Sequence, residues 1–507
     1  MEVIFWSSEA HTNKVFNRYL GPYKVAYWLR KHNHTCQVID FITHWTREEL
    51  YAITKKFITS ETKIIAISTT FLCTTRYKWT NGTRPRMPER AIWALTELKK
   101  EYPHLKIIVG GYVSNRIPSF NVIDATVMTY KGAPEDVFLE YLEHFTHGTP
   151  LPLGELEFRI TDAGPGHEKP MMTYHTARNP KYSIEVDDFK FSKQDFILPG
   201  EALPLDVSRG CIFSCKFCQF PHLGKGKLDY IRGMEFLKEE IIHNYENFGT
   251  TAYYIADDTF NDTEWKMSEF LKMTQSLPFK ITFTAYLRAD LIHRFPDTAH
   301  MLKEAGLFGA YHGIETLHPE ASKIIGKAWS GKHAREFIPE LYHNIWKKEV
   351  PMHTNFIVGL PKETRHSVMQ TLKWYYANNL HSIRFVALGI YKAGNDNTTY
   401  SVSSEFDRNS EKYGFTFEEG VKGIYGNRGW KNENWTELEA MKTSSQLNRI
   451  LDKDKVAAHV WLNPGLMFLG WSKERILENR SERIGLTEAY EQTNEKYRLY
   501  YNTVINS

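Results

Sequence analysis

Arg209-Gly210-Cys211-Ile212-Phe213-Ser214-Cys215-Lys216-Phe217-Cys218 sets three cysteines in one short loop, spaced C-x3-C-x2-C. A cubane 4Fe–4S cluster normally takes four thiolates, one on each iron. Three thiolates from one loop leave one iron without a protein ligand and open to chelation by a small molecule. The loop therefore reads as a reactive centre rather than a purely electron-transferring one. Phe217, just before the third cysteine, is placed to keep water off the cluster. A zinc reading competes, because Cys218-x3-His222 offers a fourth ligand for a Cys3His site. Zinc pairs usually draw on a distant second pair, and the only other cysteines are Cys36 and Cys73. Five cysteines with three in one loop suit a reducing cytoplasm better than a disulfide framework.

Outward from the loop, strand-like runs alternate with helical stretches. The runs are Leu205–Ser208, Ala252–Ile255, Ile281–Tyr286, Gly309–Ile314, His353–Val358 and Ile383–Leu388. Helical periodicity lies between them at Met234–Tyr245, Trp265–Gln275, Ala299–Ala305, His333–Trp346 and Arg365–Asn378. Six such repeats predict a partial (β/α)6 barrel over residues 201–395, with its functional residues on the rim where strands end. The cysteine loop follows the first strand, where that rim should be.

Residues 1–150 alternate in the same way. Val3–Trp6, Gln37–Asp40, Ile64–Ser68, Lys106–Gly111 and Ala125–Met128 read as strands, and Tyr23–Lys31, Ala91–Tyr102 and Glu135–Phe145 as helices. The pattern predicts parallel βαβ units in an open, doubly wound, Rossmann-like sheet, so the fold class is α/β. Residues 151–200 are broken by Pro and Gly and read as a linker with short irregular strands. Residues 396–507 read as a small, mainly helical C-terminal region. It holds helices at Glu437–Leu451 and Glu488–Tyr500, the second capped by Thr487, and a glycine-punctuated loop near Trp430 and Trp435.

With 507 residues the chain has room for two or three domains. A net charge of +3 argues against a dedicated nucleic-acid surface. No apolar run reaches the roughly 18–20 residues of a membrane span, and Met1–Trp6 lacks the basic start of a signal peptide. These points lead to the expectation of a cytoplasmic protein.

The C-x3-C-x2-C loop, with its aromatic before the last cysteine, closely resembles the signature of the radical S-adenosylmethionine (radical SAM) enzymes. The resemblance covers about residues 200–395 and lies toward the branch with methylthiotransferases and cobalamin-type enzymes. It implies that Cys211, Cys215 and Cys218 ligate a 4Fe–4S cluster. It also implies that cluster-bound SAM is reductively cleaved to methionine and a 5′-deoxyadenosyl radical, with electrons from an external donor such as flavodoxin or ferredoxin.

Further candidate SAM contacts lie at successive strand ends. Asp257 or Asp258 would accept from the SAM ammonium group, or cap a helix. Arg288 would hold the SAM carboxylate, or pair with Asp257 or Asp258. Glu315 resembles the family's ribose-contacting acid, with pairing to Arg288 as the alternative. Lys327 resembles a basic residue often found after this strand, and a solvated lysine is the plain reading. Val358-Gly359-Leu360-Pro361-Lys362-Glu363-Thr364 resembles the adenine-side turn, with Gly359 admitting the base and Pro361 stiffening the backbone.

Residues 1–150 resemble the cobalamin-binding domain found ahead of such barrels. Ligands of these sheets bind at the carboxyl ends of strands. The loops at Ser7–Lys14, Ser68–Cys73, Gly110–Ser114 and Tyr130–Ala133 should meet there, with Ser68, Gly110 and Gly111 against the ligand. The Asp-x-His-x-x-Gly cobalt-ligand motif is missing; His11 lies in the corresponding loop and reads as a surface residue, and Cys73 as a buried thiol. The expected function is cobalamin-dependent methyl transfer to an unactivated carbon of a small molecule or peptide. The alternatives are a cobalamin-free radical SAM rearrangement or cyclisation, and a zinc-containing nucleic-acid-binding protein.

Overall fold

The computed structural model describes residues 1–8, 15–68, 87–111, 122–129, 133–150, 159–160, 171–175, 177–218, 230–327, 329–390, 404–422, 428–453, 459–478 and 483–507. His11, Cys73 and His222, with most of the four loops expected around a cobalamin, lie outside the described residues.

Two sheets organise the chain. The first holds β1 (Val3–Trp6), β2 (Cys36–Ile39), β3 (Ile64–Ser68), β4 (Lys106–Gly110), β5 (Ala125–Thr129), β6 (Arg159–Ile160) and β7 (Met171–His175), in the order β2-β1-β3-β4-β5-β7-β6. Every pairing is parallel except β6 with β7. The segment expected to be a linker thus adds two strands to this sheet. The side chains of β1 alternate, as a strand's period of two requires. Val3 and Phe5 join a core that continues into the second sheet. Ile4 and Trp6 join a second core under helices Arg47–Phe57 and Glu89–Glu101. Helix Arg47–Phe57 starts at Thr46 with a reciprocal capping box to Glu49, and it buries Leu50 and Ile53, three apart on one face.

The second sheet is the expected six-stranded parallel array: β8 (Leu203–Leu205), β9 (Ala252–Ile255), β10 (Thr282–Leu287), β11 (Leu307–Glu315), β12 (Met352–Val358) and β13 (Ser382–Ala387), neighbours in chain order. Helices such as Glu264–Gln275, which buries Met267, Phe270 and Met273 at intervals of three, cover the outside. The open edge at β13 is closed by helix Glu437–Lys453, whose Asn448 amide both donates to and accepts from the Phe385 backbone.

The C-terminal region departs from expectation in three ways. It contains an antiparallel pair, β14 (Thr416–Lys422) and β15 (Arg428–Lys431). Its last helix runs Arg483–Asn506, so Thr487 lies inside the helix rather than capping it. That helix also packs against the first sheet, where the Tyr500 hydroxyl accepts from the Asp40 amide at 3.1 Å. Among the described residues no helix is long and apolar enough to cross a membrane.

Candidate functional site

The root of the cysteine loop is fixed from two directions. Asp257, just past β9, is 1% exposed and accepts from Val207 N (2.8 Å), Ser208 N (2.9 Å), Ser208 Oγ (2.6 Å) and Lys266 Nζ (2.8 Å). Its two oxygens are therefore taken by protein donors. Asp257 is a strut beneath the loop rather than a ligand contact, and the ammonium-contact expectation passes to the half-buried Asp258. Arg209 reaches the other way. It donates to Glu135 at 2.7 Å, lies 3.3 Å from Asp206 and sits over the Tyr182 ring at 4.7 Å. Glu135 opens the helix that follows β5, so this pair ties the cysteine loop to the first sheet. Lys24 strengthens the same seam by bridging Asp187 and Asp206.

Cys211, Cys215 and Cys218 are half-buried thiols. Cys211 Sγ lies 3.3 Å from Thr259 Oγ1. Lys216 N donates to Ile325 O and Lys216 O accepts from Phe406 N, both at 2.9 Å, which pins the middle of the loop. Burial raises the Cys215 thiol above its usual range, while the charges of Lys327 and Arg288 pull it down. Among the described residues no group of three or more His, Cys, Asp and Glu side chains could hold a metal ion. A cubane spreads its thiolates over separate irons. Cations facing a half-buried trio of thiols suit the net negative charge of a thiolate-ligated cluster, so the donor set fits it.

Arg288 stacks on Phe213 at 4.0 Å and donates to Cys215 Sγ at 3.6 Å. Its ion pair is with Asp290, through two hydrogen bonds of 3.1 and 2.6 Å, and not with Asp257, Asp258 or Glu315 as the alternatives had it. Glu315 pairs instead with Lys327 at 3.2 Å, and Lys327 also donates to the Gly313 carbonyl. Lys327 is thus engaged and not simply solvated. Glu315 has φ +72, in the left-handed region, and the register between β11 and β12 shifts just before it. A bulge beside a left-handed non-glycine residue turns its side chain away from the regular strand direction. A Cβ on Gly313 would collide with the Glu315 carboxylate, so this glycine makes room for it.

The turn after β12 is buried at Leu360, Pro361 and Glu363. Gly359 has φ +106, but a Cβ there would meet Trp430 at 2.6 Å and Ala440 at 3.1 Å. Its missing side chain admits Trp430 from β15, which corrects the expectation that it makes room for adenine. Sequence reasoning missed Glu363. It is fully buried and accepts from Thr316 Oγ1 at 2.6 Å, and burial raises its carboxyl to about 8. It also missed Lys266, whose i,i+4 spacing from Asp262 was the available signal.

In the first sheet, Ser68 and Gly110 are register partners at the carboxyl end. Gly111 follows, exposed and at φ +99, a conformation that glycine supplies without strain. A Cβ on Gly110 would make only ordinary contact with the Val127 carbonyl at 3.5 Å. Among the described residues, Ser68, Gly110 and Gly111 put only one small side chain at this strand end, which suits close approach of a ligand to the backbone.

Residues 205–375 match the family model described as the radical SAM superfamily. An uncharacterized methyltransferase of Pyrococcus horikoshii is 27% identical over 284 residues, covering 53% of this chain and 57% of that protein's length. The radical SAM methyltransferase TsrM of Kitasatospora setae, solved with cobalamin and a 4Fe–4S cluster, superposes with TM-score 0.64 at 13% identity, over 98% of this chain and 99% of that one. The cobalamin-dependent radical SAM enzyme OxsB superposes with TM-score 0.57 at 13% identity, over 99% and 80%.

Proposed function

The chain carries a radical SAM domain in residues 205–375, and from this premise we propose that it is a cobalamin-dependent radical SAM methyltransferase acting on an unactivated carbon. The carrying observation is the agreement of the three-cysteine loop with a fold that spans the whole of a cobalamin- and cluster-containing methyltransferase. When bound, the cluster with SAM supplies a 5′-deoxyadenosyl radical and cobalamin supplies a methyl group.

The protein's part is positioning and exclusion of water. Cys211, Cys215 and Cys218 hold three irons. Asp258 takes the SAM ammonium group, and Arg288, already beside Cys215, takes its carboxylate as a charge-assisted pair. Glu315 accepts from the ribose hydroxyls, oriented by Lys327. Phe213 and Phe217 shield the cluster face. Ser68, Gly110 and Gly111 let a corrin or its tail approach backbone. The Arg209–Glu135 pair keeps the two strand-end regions in one arrangement.

Under anaerobic reduction, reconstituted protein should release methionine and 5′-deoxyadenosine from SAM. Replacing any of Cys211, Cys215 or Cys218 by Ala should abolish this, and Cys36→Ala should not. Full SAM cleavage by Cys215→Ala would refute the assignment. In wild type, SAM cleavage without retained cobalamin would favour the rearrangement alternative.

A further inference from the structure

The barrel interior carries a set of rings that SAM and cluster binding do not use. Tyr286, Tyr311 and His353 are register partners on adjacent strands β10, β11 and β12, and so share one face. Tyr286 and Tyr311 meet edge to face at 4.7 Å, and Tyr311 stacks on His353 at 5.0 Å. A one-turn segment of the C-terminal region, Val460–Leu462 with its preceding His459, enters from below. Trp461 lies 4.7 Å from Tyr286, and His459 lies 5.0 Å from Tyr311 and 4.1 Å from His353. This segment closes the floor, anchored by Asn463 Nδ2 donating to Phe308 O at 2.6 Å. Tyr286 and Tyr311 keep accessible surface although the barrel surrounds them, so they line its lumen.

The lumen also holds buried polar atoms that have no partner among the described residues. His353 is 1% exposed; its Nδ1 pairs with Ser382 Oγ at 2.8 Å, while its Nε2 is buried without a partner among the described residues. Arg384 stands on β13 in register with Asn355, two residues beyond His353 on the same face. One arm, Nη2, pairs with Asp452 at 2.9 Å; the other, Nη1, is buried without a partner among the described residues. A buried donor left unmade costs far more than a made one gains, so such a donor is a site awaiting an acceptor. Arg384 is close enough for its charge to lower both His353 and His459, the latter to about 4, after the larger effect of burial. At the opposite end, burial raises Tyr311 well above its usual range, with Tyr286 and Glu315 adding to it, and raises Tyr286 to about 12, with Asp258 adding to it. The ring floor thus runs from the SAM-side acids to one cation.

Resting on the reading of this lumen as the active site, we propose that the substrate is an aromatic acid, its planar ring over Tyr286 and Tyr311 and its anionic group on Arg384 Nη1. Ring-on-ring packing favours a flat π-face over an aliphatic one, and guanidinium favours a carboxylate over a neutral amide.

Three matched probes test this by ligand-observed NMR on reconstituted protein: indole-3-acetate, its uncharged isostere indole-3-acetamide, and the non-aromatic acid cyclohexylacetate. Indole-3-acetate should bind at least about tenfold more tightly than either of the others, as one charge-assisted hydrogen bond or one ring pair allows. Arg384→Gln should erase its preference over the amide. Arg384→Lys and Asp452→Asn should keep that preference, because each leaves the cation. Equal binding of acid and amide, an unchanged preference in Arg384→Gln, or no binding of indole-3-acetate to wild type would overturn the proposal. Iron content, cobalamin retention and SAM cleavage are measured on the same samples. Failure there with selective probe binding intact would strike the methyltransferase reading and leave the aromatic-acid site standing.

Discussion

Replacing Asp257 separates a strut from a ligand contact. In Asp257→Ala, Val207 N and Ser208 N lose their acceptor, and the Lys266 ammonium, itself fully buried, loses its 2.8 Å partner. Breaking a buried ion pair from one side costs about 3–5 kcal/mol. The remaining Asp262 carboxylate, 3.3 Å from Lys266, pulls this toward the lower end. Two buried amides without acceptors cost about 1–3 kcal/mol each, so the total should be about 5 kcal/mol or more. Asp257→Asn keeps one acceptor oxygen for the amides and should cost about half as much. Guanidinium unfolding of cluster-free protein, followed by circular dichroism, reads the loss directly. Equilibrium dialysis with SAM on reconstituted Asp257→Asn should show affinity within about threefold of wild type, since the residue makes no ligand contact in this account. If Asp257→Ala unfolds within 1 kcal/mol of wild type while SAM affinity falls at least about tenfold, the strut reasoning is wrong and the residue is a SAM ligand.

Three other outcomes are expected. Glu315→Ala should weaken SAM binding by about 1–3 kcal/mol through loss of charge-assisted hydrogen bonds, with iron content unchanged; unchanged affinity in dialysis would remove Glu315 from the site. Gly359→Ala should destabilise by about 1–3 kcal/mol, because the methyl group collides with Trp430 at a left-handed backbone position; a thermal melt that matches wild type would refute that packing. Glu363 keeps its proton to about 8 when folded, against 4.5 as its ordinary value. Between those pH values the folded state binds more protons than the unfolded one, so stability should fall as pH rises through that window. Glu363→Gln should flatten that decline, as urea midpoints at pH 5 and pH 8.5 would show.

What the sequence made legible was local. The cysteine spacing lies within one loop and needs no partner elsewhere. The β-branched run Ile64–Ser68 and the amphipathic helix expected at Ala91–Tyr102, found at Glu89–Glu101, follow from period and neighbours alone. The βα order of residues 201–395 carried the barrel in the same way. What escaped was set by distant partners. Asp257 is decided by Ser208, 49 residues earlier, and by Lys266, nine later. Arg209 meets Glu135 across 74 residues. Gly359 is filled by Trp430, and the barrel floor comes from Trp461, in a region whose weak periodicity gave no sign of its destination. A glycine in a strand-end turn signals close approach, but whether a ligand or a tryptophan arrives is a tertiary fact.

The most direct test of the central claim counts three components in one sample. The chain is reconstituted anaerobically with iron, sulfide and hydroxocobalamin, gel-filtered, and analysed for metal, sulfide and corrin. The account predicts about four irons, about four sulfides and one cobalamin per chain, with the corrin lost in Gly111→Trp. Zinc without sulfide, or an intact cluster with no retained cobalamin, would contradict it.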